Sequence, residues 1–305
     1  MSGSAITIGN FDGVHVGHRH LFRRVVEAAK ARGLTPAVLT FDPHPARLVA
    51  PDRAPKLLTT LEERCALMRE QGIERVLVLP FTAEIAKLTP EQFVERVAVS
   101  MLQGKLVFVG DNFRFGHRQS GDTGALIELG KRYGFETEIV GAVKCRGRVV
   151  SSSLIREAIR DGNVALACRF LNQPYALSGD VVAGHGVGAK QTVPTLNLQT
   201  SAEVLPRNGV YITCTRDLDS GVRWNSITNI GTRPTFDGDA LSIETFLLDR
   251  LEGKSPARIR VELLRRVRDE QKFESPEALK AQILRDVARA RSYFRRRERW
   301  RRELQ

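Results

Sequence analysis

The densest chemistry in the sequence lies in Gly9–His18, GNFDGVHVGH. Gly9, Gly13 and Gly17 let the backbone turn tightly and approach a ligand. A helix opening after this run would aim free N–H groups and the positive end of its dipole at a phosphate. His15 and His18 stand three residues apart, so both imidazoles can face one ligand and donate to phosphoryl oxygens as charge develops in a transition state. Asp12 either fixes the turn or approaches the ligand. Two plainer readings stand beside this one. The first is a zinc site in which His15 and His18 are joined by His20 or His44; the second is a glycine turn with no ligand. Zinc lacks an obviously placed Cys or carboxylate as third ligand and has no need of the glycines.

Further segments carry related chemistry. Arg148–Arg156 reads RVVSSSLIR, where Ser152 or Ser153 can cap a helix and Arg156 can reach a triphosphate. Gly184–Asn197 reads GHGVGAKQTVPTLN. Gly184, Gly186 and Gly188 offer phosphate-cradling backbone, and Lys190 adds a charge. Thr195 and Asn197 are two apart, so on an extended segment both point the same way and can meet one hard cation or phosphate group. A glycine-rich hairpin without ligand is the alternative.

The surrounding elements have two textures. Strands are expected at Ala5–Ile8, Thr35–Thr40, Arg75–Leu79, Leu106–Val109 and Thr137–Val143. They alternate with helices at Leu21–Ala31, Leu61–Gln71, Glu91–Leu102 (opened by Thr89-Pro90) and Gly124–Tyr133. This alternation predicts a parallel, doubly wound α/β sheet. Two short helices follow, Leu154–Arg160 and Val164–Leu171. From Tyr175 to Leu264, short alternating runs broken by Gly, Pro, Asn and Asp predict an antiparallel barrel or sandwich. Its strands include Tyr175–Val182, Gly209–Thr215, Arg223–Thr228, Leu241–Leu247 and Arg258–Leu264. A closing helix is expected over Pro276–Arg291, with Ser275 before Pro276 as its cap. The division is residues 1–173, then 174–292, then a basic C-terminal tail, 293–305.

The chain has 305 residues, which fits two domains, with 42% hydrophobic and 27% charged residues. That composition excludes a disordered or collagen-like chain. The apolar runs are too short to cross a bilayer, and the first ten residues lack the features of a secretory leader. Cys65, Cys145, Cys168 and Cys214 lie far apart, as expected for a reducing, cytoplasmic setting. The net charge is +12. Half of that excess sits in Arg285–Gln305, where nine arginines face Asp286, Glu298 and Glu303. A solvated basic helix end is the expected reading of this run, although it could also touch RNA or an acidic surface.

Gly9–His18 matches the G-x-F-D-x-x-H-x-G-H opening of the nucleotidyltransferase superfamily. Taken in order with Thr40–Pro45 (TFDPHP), Val109–Asp122 (VGDNFRFGHRQSGD) and Arg148–Arg156, it resembles the adenylyltransferase module of the prokaryotic bifunctional riboflavin kinase/FMN adenylyltransferase family. The second half resembles that family's kinase module: Pro194, Thr195 and Asn197 match, as do Gly209–Tyr211, Asn229–Phe236, Ile243–Asp249 and Arg268–Phe273. Gln191-Thr192-Val193 departs from the usual Leu-Gly-Phe. The resemblance implies a Rossmann-like nucleotidyltransferase domain followed by a small six-stranded β-barrel domain with a C-terminal helix. It implies riboflavin phosphorylation to FMN and FMN adenylylation to FAD, with ATP as co-substrate in both, Mg²⁺ as cofactor and pyrophosphate released.

By the same resemblance His15, His18, Asn112, Arg148, Ser151 and Arg156 lie around ATP and the FMN phosphate, with Gly9, Phe11, Gly13 and Gly17 on the phosphates. Gly186, Gly188 and Lys190 serve the second ATP, and Thr195 and Asn197 hold Mg²⁺. Glu244 is the general base toward the riboflavin 5′-hydroxyl. Phe113 and Phe115 flank a ring or simply pack in the core, and Arg268 sits on the flavin side. The expected partners are small molecules, with no nucleic acid or membrane, in a monomer or weak oligomer. The rivals are another nucleotidyltransferase, such as a cytidylyltransferase with an unrelated β domain, and a basic nucleic-acid-binding protein.

Overall fold

The computed structural model describes residues 3–183, 195–235 and 238–303; the side chains described exclude those of 233–235, 238–240 and 301–303. Contacts divide the chain into two compact units, Met1–Leu154 and Ile155–Gln305.

The first unit is built on five parallel strands, β1 (Ser4–Ile8), β2 (Thr35–Asp42), β3 (Arg75–Pro80), β4 (Gly104–Gly110) and β5 (Glu136–Val140), in the order β3-β2-β1-β4-β5. Because side chains alternate along a strand, each strand feeds two cores. Ala5, Val38, Leu106 and Phe108 pack against Phe22 and Val25 of α1 (Val16–Arg32) and Met68 beyond it. Ile6, Leu39, Val107 and Val109 pack on the other face against Phe93, Val97 and Leu126.

The helices start and stop where the local chemistry allows. α1 ends at Gly33, whose φ of 63° suits a left-handed cap. α2 (Pro45–Val49) is a short turn after β2. α3 (Leu61–Glu70) opens with a capping box, Thr60 with Glu63. α4 (Ala83–Lys87) follows β3, and α5 (Pro90–Phe93) is capped by Thr89 as expected. The expected helix over Glu91–Leu102 is not α-helical throughout: it widens to a π-helix over Val94–Met101, keeping Val94, Val97 and Ala98 in the core. α6 (Thr123–Tyr133) is capped by Asp122. The last expected strand stops at Val140; a two-stranded hairpin, β6 (Lys144–Cys145) and β7 (Arg148–Val149), follows it. α7 (Ser152–Arg160) then begins.

The second unit opens with α8 (Val164–Leu171) and closes six antiparallel strands into a barrel. These are β8 (Tyr175–Val182), β9 (Thr195–Thr200), β10 (Gly209–Asp217), β11 (Arg223–Thr235), β12 (Gly238–Leu247) and β13 (Arg258–Arg268), ordered β10-β11-β12-β9-β8-β13. β9 was not among the expected strands, and it is the one that lets the barrel close. The interior holds Leu177, Leu196, Ile243 and Val261, all buried. It also holds a line of buried hydroxyls, Thr215–Ser226–Thr213–Thr228–Thr245, each hydrogen-bonded to the next at 2.8 to 2.9 Å. On the outer surface Val210, Ile212 and Ile227 receive Ala290 and Phe294 of α9 (Pro276–Glu303). α9 therefore runs through the segment expected as a tail. Phe294 provides the reason, since it anchors the helix beyond the expected end at Arg291.

Candidate active sites

In the first unit the strand order reverses between β1 and β4, and in parallel sheets ligands bind outside the strand C-termini at that point. The loop after β1 carries the histidines, the loop after β2 carries His44, and the loop after β4 carries Asn112.

Asp12 is buried and fixes the turn: its carboxylate accepts from Leu58 N (2.9 and 3.1 Å), Thr59 N (3.2 Å) and Thr59 Oγ1 (3.2 Å). Arg64, 1% exposed, braces the same loop from beneath by donating to the carbonyls of Asn10 (3.0 Å) and Phe41 (3.2 Å). Sequence reasoning missed Arg64 and Thr59; a charged residue beside Cys65 and Met68 on the buried face of α3 was the available signal. Ser152 Oγ donates to the Asp12 carbonyl at 2.9 Å, bringing the start of α7 to this turn.

His15 is the N-cap of α1, with Nδ1 accepting from His18 N at 3.3 Å. The proton of the neutral ring is therefore on Nε2, which can donate outward. His18 stacks on His15, the ring centroids 3.6 Å apart. Burial lowers the His15 pKa to about 4. His18 is held well below the usual histidine range by burial and by His15. Both rings are thus neutral near pH 7. Nδ1 of His18 is buried with no hydrogen-bond partner among the described residues.

The other expected phosphate contacts divide. The Gly9 N–H is taken by the Leu39 carbonyl at 3.0 Å, and the Gly13 N–H by Thr59 Oγ1 at 3.2 Å. Gly13 is needed for its φ of 79°. The ring of Phe11 is buried against Phe22 and lies edge-on to His18, so it supports the histidine from the core. In these three positions the N–H groups of Gly9 and Gly13 and the ring of Phe11 are already engaged within the fold. Gly17 sits in the first helical turn, where an N–H has no intrahelical partner. A Cβ there would come within 3.1 Å of the His15 ring, a tight approach that favours glycine.

Asn112 is exposed on its loop. Phe115 belongs to the core, and half-buried Phe113 stacks on it at 5.5 Å. Arg148 is exposed on the β6–β7 hairpin. Ser151, rather than Ser152 or Ser153, caps α7 by accepting from Leu154 N at 3.3 Å. Arg156 is buried one turn along α7. Among the described residues no three His, Cys, Asp or Glu side chains gather as a metal cluster.

In the barrel, Asn197 lies directly opposite Glu244, and Thr195 opposite Phe246, on β9 and β12. The neighbours Leu196, Leu198 and Thr245 point into the barrel, so Thr195, Asn197 and Glu244 share its outer face. Asn229 lies opposite Glu244 on the other side, so the carboxylate sits between two amides, one of which sequence reasoning did not single out. Ser242 Oγ donates to Glu244 Oε1 at 3.2 Å. Hydroxyl, amide and carboxylate oxygens are the donors a hard cation such as Mg²⁺ prefers. Arg268 is engaged by Asp286 of α9 at 2.8 Å, and its guanidinium lies over Phe273. This pairing ties β13 to α9. Gly186, Gly188 and Lys190 lie outside the described residues.

Two family models match the chain, FAD synthetase over residues 1–154 and riboflavin kinase over residues 171–294. The bifunctional riboflavin kinase/FMN adenylyltransferase of Escherichia coli (strain K12) is 40% identical over 294 residues, covering 96% of this chain and 93% of its own. The chain belongs to the bifunctional riboflavin kinase/FMN adenylyltransferase family. A further member, from Pseudomonas fluorescens, is 37% identical over 95% of this chain and 93% of its own. A solved structure from Streptococcus pneumoniae, described as a macrolide-efflux protein, shares the architecture with a TM-score of 0.85 at 29% identity, covering 95% of this chain and 94% of its own. No described helix of the present chain is long and apolar enough to cross a membrane. The cytidylyltransferase rival required an unrelated β domain, whereas the barrel half matches riboflavin kinase.

Proposed function

We infer that the chain makes FMN from riboflavin and ATP in its barrel half, and FAD from FMN and a second ATP in its parallel-sheet half. The observation that carries this is co-linearity: each family model falls on its own folded unit, and each unit presents a polar site of the right chemistry.

In the barrel half, Glu244 accepts the proton of the riboflavin 5′-hydroxyl as that oxygen bonds to the γ-phosphorus of ATP and the bond to the ADP oxygen breaks. Asn197 and Asn229, on either side, support the carboxylate's position. Thr195 and Asn197 would hold Mg²⁺, which when bound draws charge from the transferring phosphoryl group.

In the parallel-sheet half, an FMN phosphate oxygen attacks the α-phosphorus of ATP and pyrophosphate leaves. His15 and His18, neutral at rest, donate to the phosphate oxygens as negative charge builds; Gly17 N–H and the α1 dipole act in the same direction. Asn112, Arg148, Ser151 and Arg156 complete the ATP surroundings, and Phe113 meets the flavin ring. The functional division is 1–173 for adenylyl transfer and 174–292 for the kinase. The enzyme works in the cytoplasm as a monomer or weak oligomer on small-molecule substrates, without a nucleic-acid or membrane partner.

The test is one incubation of the full chain with riboflavin, ATP and Mg²⁺, separating riboflavin, FMN and FAD by chromatography. FMN rising first and FAD after it is expected. No conversion of either riboflavin or FMN would overturn the reading.

A further inference from the structure

A groove of about 330 Å³ runs between the outer face of the barrel and α9, with four arginines in its wall. Arg265 and Arg266 come from β13, and Arg289 and Arg296 from α9, with Ser292 and Tyr293 between the latter two. Positions 289, 292, 293 and 296 follow the i, i+3, i+4, i+7 spacing of a single helix stripe, so α9 presents them together. No acidic residue lines the groove. Arg266 is held by Asp269 at 2.7 Å, and Arg296 donates to Ser292 Oγ at 3.0 Å. Arg265 and Arg289 have neither an ion pair nor a side-chain hydrogen bond among the described residues. Two other exposed arginines of this unit meet carboxylates, Arg223 with Glu262 and Arg258 with Asp219, each at 2.6 Å.

Arg266 faces Tyr211 and Asp269, but Arg265, Arg289 and Arg296 gather here without a carboxylate partner among the described residues, which is unfavourable, and a bound anion relieves it. Guanidinium forks match phosphate oxygens in pairs. The volume is at the lower end of small-molecule sites, roughly 300–1,000 Å³. A short phosphate chain fits this space better than a polymer. The groove is formed by β10, β13 and α9, whereas Thr195, Asn197 and Glu244 lie on β9 and β12. We propose that this groove is a separate anion site that takes a di- or triphosphate chain, either free as pyrophosphate or carried by a nucleotide.

The test is calorimetric titration of the full chain, in EDTA without Mg²⁺, with inorganic pyrophosphate and separately with ADP. The wild type is compared with Arg265→Gln/Arg289→Gln; both positions are exposed, and unchanged FMN formation confirms folding. The expected result is one binding event per chain fewer in the variant, or a weakening of about tenfold or more. Loss for pyrophosphate and ADP alike means the site reads the phosphate chain itself; loss for ADP alone means the chain must be nucleotide-borne. Identical titrations of wild type and variant with both ligands would overturn the proposal. So would a difference confined to a single-stranded RNA oligonucleotide, which would make the groove a nucleic-acid surface. Should the double variant lose FMN formation, Arg296→Gln carries the same comparison.

Discussion

Glu244 and Asn197 face each other across the β9–β12 ladder, each on a strand whose alternate residues fill the barrel. Directly opposed residues of an antiparallel pair have Cβ atoms about 4.5–5.5 Å apart, so the carboxylate and the amide work on one small volume. Replacing Glu244 by Gln keeps the shape and removes the proton acceptor. FMN formation should fall by about 10²–10⁴-fold, the usual worth of a general base, while FAD formation from supplied FMN is unchanged. Loss of both steps in a folded variant would contradict the assignment of separate sites.

Asn229, on the other flank of Glu244, should act more weakly. Asn229→Ala is expected to lower kcat of the kinase step several-fold, by changing the polar surroundings of the opposed Glu244, and to shift the acidic limb of its pH profile. An unchanged profile would leave Asn229 with only a packing role.

The histidine pair gives the reciprocal result. His15→Asn retains a capping side chain at the start of α1 but loses the outward Nε2 donor. FAD formation should drop about 10²–10³-fold, as for loss of a donor to developing negative charge, with FMN formation spared. Product chromatography from riboflavin would then show FMN accumulating.

His15 also links stability to pH. Its folded pKa, about 4, is below the ordinary 6.5, so the unfolded chain binds a proton between these values that the folded chain refuses. The contribution is complete above pH 6.5 and is lost as pH falls toward 4. Between pH 7 and 4.5 the wild type should lose about 2–3 kcal/mol that His15→Asn does not lose. Urea denaturation of both proteins at the two pH values measures it.

Inside the barrel, Thr228 bonds both Thr213 and Thr245. Thr228→Val keeps the shape and leaves two buried hydroxyls each short of a partner. A cost of about 1–3 kcal/mol is expected, read from the denaturation midpoint of the barrel unit.

Most of the architecture was legible because it depends on local pattern. Strand runs alternating with helical runs mark the parallel sheet, and turn-punctuated short runs mark the barrel. What escaped depends on distant partners. Thr195–Thr200 has too few β-branched residues to announce a strand; it is one because β8 and β12 flank it. Ser151, Ser152 and Ser153 are each able to cap a helix. The bond from Ser152 to Asp12 and the bond from Leu154 N to Ser151 decide their roles, and neither is visible locally. The N–H of Gly13 looks free in a glycine-rich motif until Thr59 arrives to take it. The same holds for Phe115, whose aromatic ring in a polar loop serves a core or a ligand equally well until the neighbouring Phe93 is placed.

The turn at Asp12 is fastened first by residues 58 and 59 and then by Ser152, 140 positions down the chain. A nascent chain therefore carries the histidine loop well before all of its ties are made. The last of these ties forms only once synthesis has passed Ser152. None of these ties comes from the barrel, whose strands begin at Tyr175. During translation, the clasp on the adenylyl-transfer loop can close while the kinase barrel is still being made.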